Sequence, residues 1–315
     1  MMKYKEKEHI ITAGCSFTNC GFSWPYFLDR GKYEIHNIAT PGAGQAYISR
    51  STIYHINKLL NEGIEKDRIK VLVMWSGMDR HEVLSTDRET PMHQIYIDGN
   101  DMNWLENFIC NEKQYRIPYK ESCWLKSSTR GMKWENKPVV KLFDNYFKNF
   151  YTEEESFLRG LENILRLQWF LDKENISYKF MTWQNSFNKY SFTVPSGYGE
   201  VGQTKTGHDI WCMGWTYQKW HDNIIWPKEI DCKLSKDTPL LKDIYPNTTH
   251  LWDMMDWDKW WFYEDEQVDY GGLAEWIILG ERFTWGNGKE DPGHPHPDSN
   301  RLFVEKVINP MLEVL

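Results

Sequence analysis

The sequence has no apolar run approaching the ~20 residues that a membrane-spanning helix needs, so membrane insertion is not expected. It also lacks any block of five or more like charges that could serve as a binding tail; Lys3–Glu8 is a short mixed-charge leader and reads as a solvated start. Basic residues are outnumbered, 37 against 45 acidic, and the formal net charge is −8. That balance repels a phosphate backbone and an anionic lipid surface, which excludes nucleic acid and charged membranes as expected partners. The opening MMKYKEKEHIITAG is basic but has no apolar segment long enough for a signal peptide before a strand begins. The expectation is therefore a cytoplasmic protein, virion-associated if phage-encoded, as the Lys/Asn/Ile-rich composition would fit.

Cysteine is sparse. The six (Cys15, Cys20, Cys110, Cys123, Cys212 and Cys232) show no CxxC spacing, which argues against a disulfide framework or a zinc finger. No cofactor and no resident metal are expected. Internal repeats, low-complexity tracts and a Pro/Gly/Ser linker are missing too, so residues 1–315 are expected to form one domain. The oligomeric state is left open.

What the sequence does have is aromatic residues: 17 Trp, 17 Tyr and 15 Phe, with ten of the Trp between Trp211 and Trp285. Hydrophobic periodicity supplies the rest of the frame. His9–Gly14, Glu34–Ala39, Lys70–Trp75 and Tyr178–Trp183 read as strands. Gly44–Asn61, Glu153–Lys173 and Arg301–Leu315 read as amphipathic helices. The alternation predicts an α/β fold with a mostly parallel sheet flanked by helices. Two long stretches, about 80–150 and 186–290, interrupt it. They are too aromatic for disorder and are expected to be ordered insertions with short helices of their own.

Two segments carry chemistry. Gly14-Cys15-Ser16-Phe17-Thr18 follows the first strand, which puts a hydroxyl at the sheet edge where α/β proteins bind ligands. Asp291-Pro292-Gly293-His294-Pro295-His296-Pro297 precedes the last helix, and Asp291 and His294 are spaced so that the carboxylate can orient the imidazole. Together these blocks resemble the SGNH (GDSL-like) serine hydrolases, whose first block is Gly-Asp-Ser-x-Thr and whose last holds Asp-x-x-His. Asn37-x-Ala39-x-Pro41-Gly42-Ala43-Gly44 falls where that family has its oxyanion-hole Gly, and Val71–Asp79 where it has Gly-x-Asn-Asp. The resemblance covers four short blocks in the right order, over a scaffold of about half the chain.

The resemblance implies a three-layer, flavodoxin-like α/β/α sheet and acyl transfer to water. Ser16 would attack the ester carbonyl, His294 would take its proton, and Asp291 would hold His294. The backbone N–H groups of Ser16 and Gly44 would meet the oxyanion. Two departures bear on the chemistry. Cys15 replaces the Asp before the nucleophile; Cys15 itself reads as a small buried residue rather than a nucleophile. More seriously, Met78 stands where the family has its oxyanion-binding Asn, and Met cannot donate; Gln45 and Ser76 are the nearest substitutes. His296 is the alternative base, although only His294 has Asp at the right spacing. Two His in a His-Pro-His string without a further ligand make a poor metal site, and Asp79-Arg80 reads as an ion pair or cap.

The expected function is hydrolysis of an ester, a carbohydrate O-acetyl group by preference. The aromatic stretch (His208, Asp209, Trp211, Trp215, Trp220, Asp222) could stack on sugar rings, or simply build a local core. The rivals are an O-acyltransferase using the same residues, and a catalytically silent glycan-binding or structural virion protein on the same scaffold.

Overall fold

The first strand, β1 (Glu8–Ala13), lies between β2 (Tyr33–Asn37) and β3 (Ile69–Trp75), and β3 pairs in turn with β6 (Ser177–Thr182). All three pairings are parallel. A separate antiparallel pair joins β4 (His81–Ser85) to β5 (Cys123–Ser127). The computed structural model describes residues 7–19, 22–85, 123–127, 142, 145, 146, 149–188, 239–266, 268–280 and 294–315.

Parallel strands must be joined by crossovers, and a mostly parallel sheet needs both faces covered. Helix α1 (Gln45–Asn61) connects β2 to β3, and α2 (Glu153–Glu174) precedes β6. Both lie on one face. His36 pairs with Ile11, Ile11 with Val71 and Val71 with Tyr178, so these four side chains share a face. There His36 meets His55 of α1, and the Tyr178 hydroxyl donates to Asp172 of α2. Ile10 and Lys70, also in register, face the other way, and Lys70 Nζ reaches the Leu312 carbonyl. The helix there is α3, which runs from Pro297–Phe303 through a π-helical turn (Val304–Ile308) into Asn309–Val314. Helices on both faces explain why β3 is buried along all seven residues.

Helix boundaries follow local chemistry. Thr152 caps α2 by accepting the Glu155 N–H, and three glutamates fill the first turn, where the helix dipole favours negative charge. Asn175 ends it in the left-handed conformation at φ 55°. Beyond β6 the sheet edge is shielded by Trp260–Trp261, where the Trp261 N–H donates to the Phe180 carbonyl. Short helices stand at Leu241–Ile244, Thr249–Asp253 and Leu273–Glu275. Phe187, Trp252, Trp257, Trp260, Phe262 and Tyr270 pack there at ring separations of 4.2–6.1 Å, so these aromatics form core. The aromatic stretch from His208 to Asp222 lies outside the described residues. Among the described residues no helix is long and apolar enough to cross a membrane.

Three buried histidines sit between the sheet and α1. His9 Nδ1 and His36 Nε2 are 2.9 Å apart, and the ring of His55 lies 5.0 Å from that of His36. Burial, reinforced by Lys58 and the other histidines, lowers His36 to about 3 and His55 to about 4. Both are therefore neutral in the folded chain at neutral pH. An unfolded histidine protonates near pH 6.5, so the unfolded state binds more protons below that value. Stability is expected to be flat above about pH 7 and to fall steadily between about pH 6.5 and 4, by on the order of 2 kcal/mol per histidine at pH 5. Urea titrations at pH 7.5 and 5.0 check this, and His55→Leu should narrow the difference between them.

Candidate active site

The chain direction over the sheet reverses at β1: one connection leads outward to β2, the next back across to β3. Such switch points leave a crevice at the carboxyl ends of the strands. Ser16 follows β1 there, and Ser76 follows β3.

The turn carrying Ser16 is tightly held. The N–H groups of Thr18 and Asn19 donate to the Cys15 carbonyl, and that of Asn19 also to the Ser16 carbonyl. Asn37 Nδ2 and the Ser23 hydroxyl both donate to the Thr18 carbonyl at 2.9 Å, and Asn19 Nδ2 donates to the Ala39 carbonyl at 2.7 Å. The Ile38 and Thr40 N–H groups donate to the Thr12 and Gly14 carbonyls, closing the β2 exit onto the β1 exit. Ser16 is half-buried, and neither its hydroxyl nor its N–H donates to another described residue. Cys15 beneath it is fully buried.

Gly14 is required by space. A Cβ there would lie 2.8 Å from the Met74 carbonyl oxygen, and nearer still to Thr18 Oγ1. The next loop turns at Thr40-Pro41-Gly42-Ala43, with Ala43 N–H donating to the Thr40 carbonyl and Gly42 at φ 71°, the sequence and geometry of a type II turn. It delivers Gly44 to the N-cap of α1.

There the expected oxyanion donors are already engaged. Gly44 N–H donates to Glu82 Oε1 at 2.8 Å, and Tyr47 N–H to the same oxygen at 3.1 Å. The other Glu82 oxygen accepts from Arg50 at 2.8 Å, and the Glu82 side chain is only 3% exposed. Gln45 Nε2 donates to the Ser76 carbonyl at 2.6 Å and to Met78 Sδ at 3.4 Å. Met78 is turned toward α2, where Gly160 leaves room for its sulfur. The Ser76 hydroxyl is fully buried and has no hydrogen-bond partner among the described residues. Arg80 donates to the Ala43 carbonyl at 3.2 Å. A cavity of about 50 Å³ between Gln45, Met78, Glu82, Arg159 and Asn163 flanks this end of α1.

On the other side, Phe17 stacks on Trp183 at 4.2 Å, and its ring lies 5.1 Å from the His294 ring. His294 and the residue after Ser16 are therefore in contact. His296 has a different role. It is the N-cap of α3, with Nδ1 accepting the Asp298 N–H at 3.2 Å and lying 3.5 Å from the Asp298 carboxylate. Asp291 lies outside the described residues. Among the described residues no group of three or more His, Cys, Asp or Glu is arranged to hold a metal ion.

Glu82 carried no sequence signal, since nothing local links it to a helix 38 residues earlier. Glu275 is a second hidden carboxylate. Fully buried, it accepts the Asn185 and Gly272 N–H groups and so fixes the exit of β6; burial raises its pKa. No family model, curated protein or solved structure matches the chain.

Gly14→Ala is expected to cost roughly 1–3 kcal/mol through overpacking against Met74 and Thr18, and to loosen the Ser16 turn. Thermal unfolding together with hydrogen exchange at Thr18 and Asn19 measures both effects; a variant of unchanged stability would remove the steric argument.

Proposed function

We propose that the chain is a serine esterase of the SGNH type, with segments 80–150 and 186–290 inserted into a flavodoxin-like α/β/α frame. Ser16 attacks the ester carbonyl, His294 accepts its proton and returns it to the leaving alcohol, and Asp291 orients the imidazole. The contact of the His294 ring with Phe17, beside Ser16, carries this reading. The Ser16 N–H, undirected toward any other described residue, is suited to meet the oxyanion, with Gly44 as second donor. The capping role of His296 favours His294 as base. A carbohydrate O-acetyl ester remains the preferred substrate class, on the strength of the resemblance and the aromatic stretch alone. Transfer of the acyl group to another alcohol would use the same residues.

A silent scaffold is the second reading, and one observation favours it. Three donors that could stabilise an oxyanion are lost or engaged: Met78 has none, Gln45 donates to Ser76, and Gly44 donates to Glu82.

The test is p-nitrophenyl acetate hydrolysis by the native chain beside Ser16→Ala, His294→Ala and His296→Ala. The first two variants are expected to lose at least ~10³-fold in kcat/KM. His296→Ala is expected to keep its activity and lose at most about 1 kcal/mol of stability as a helix cap. No turnover above the Ser16→Ala background, with Ser16 unlabelled by a fluorophosphonate, would leave the silent scaffold standing.

A further inference from the structure

We propose that Glu82 is an internal latch on the oxyanion donor and that the structure holds the site in its closed form; the proposal rests on the esterase reading above. One carboxylate oxygen takes the N–H groups of Gly44 and Tyr47, and the other takes Arg50. An oxyanion beside Ser16 would need the Gly44 N–H, and one N–H cannot serve both oxygens at full strength. In that reading Glu82 already holds, with the same kind of atom, the N–H that the oxyanion would take.

The latch is built to be both tight and removable. It is tight because the carboxylate is nearly excluded from water and satisfies two of the orphan N–H groups that open α1. It is removable because Glu82 comes from β4, which belongs to the two-stranded β4–β5 sheet and not to the main sheet. A shift of β4 would withdraw the carboxylate without breaking a ladder hydrogen bond of β1 or β3. Arg50 is 28% exposed, so it can follow Glu82 toward solvent and keep the ion pair. Substitution at Gly44 would also press on the latch, since a Cβ there would lie 3.1 Å from Arg80 Cβ and 3.2 Å from Glu82 Oε1.

The experiment is the rate at which an alkyl fluorophosphonate labels Ser16, located by peptide mass spectrometry, in the native chain, Glu82→Gln, Glu82→Ala and Arg50→Ala. The phosphonyl oxygen of the adduct needs the same donors as an ester oxyanion, so labelling reads the state of the latch. Labelling at least tenfold faster in Glu82→Ala, with a smaller but clear gain in Glu82→Gln, whose uncharged amide oxygen holds the N–H more weakly, and in Arg50→Ala, supports it. Glu82→Gln retains an acceptor for α1 and keeps the test valid if Glu82→Ala fails to fold, which circular dichroism reports. Equal or slower labelling in the folded variants overturns the latch but leaves the esterase reading intact. No labelling of Ser16 in any of the four proteins overturns both.

Discussion

The constraint on which everything else depends is that the central sheet has no wet face. α1 and α2 cover one side and α3 the other, so β3 runs from Ile69 to Trp75 with every residue buried. A parallel strand in that position can carry almost nothing but apolar side chains. Lys70 is tolerated because its ammonium escapes to Glu8 and the Leu312 carbonyl at the sheet's lower end. Apart from the His9–His36–His55 cluster beneath α1, the sheet's buried or half-buried polar side chains gather mostly where the strands stop: Ser16 and Thr18 after β1, Ser76 after β3, Thr182 and Gln184 at the end of β6. The hydroxyls of Thr18, Ser76 and Thr182 are buried there without partners among the described residues, which is costly.

Loops leaving such a sheet carry backbone N–H groups that no ladder satisfies, and buried N–H groups must find acceptors. The chain solves this twice with a buried glutamate. Glu82 gathers the start of α1, and Glu275 ties Gly272 to the exit of β6. Each carboxylate accepts two N–H groups and offsets part of its desolvation through them, Glu82 also through Arg50. The difference in charge balance matters. Glu275 has only neutral donors, and burial raises its pKa. Glu82 has the Arg50 guanidinium beside it as well as its two N–H donors.

Most of the frame was legible because burial imposes period. The apolar run of β3, the alternation around Ile35 and the helical spacing from Phe157 to Leu171 each set a strand or helix within a residue or two of its observed bounds. The aromatics of the second long stretch were legible only as a choice between core and ligand surface. Where they are described, from Trp252 to Tyr270, they are core. The candidate site was legible through motif, which joined Ser16 to a histidine 278 positions away; periodicity could not have done so. Glu82 and the His9–His36–His55 cluster were illegible for a common reason. Both are made by side chains that meet only after the sheet has brought distant segments together, and neither leaves a local pattern in the sequence.

The esterase and the silent scaffold ask different things of one hydrogen bond. On a silent scaffold the Gly44–Glu82 bond is a static helix cap, and Met78 is simply a residue that fills the space left by Gly160. In an esterase the same bond must exchange: the Gly44 N–H passes from a carboxylate oxygen to an alkoxide-like oxygen. That exchange replaces one anion by another at an unchanged donor, so the helix terminus loses no electrostatic stabilisation. What it costs is the separation of Glu82 from Tyr47, and rehydration of the released carboxylate and Arg50 offsets that loss. A latch of this kind is therefore compatible with turnover even though Met78 supplies no third donor. The rate of such an enzyme would be set as much by the residence of Glu82 on Gly44 as by the nucleophilicity of Ser16.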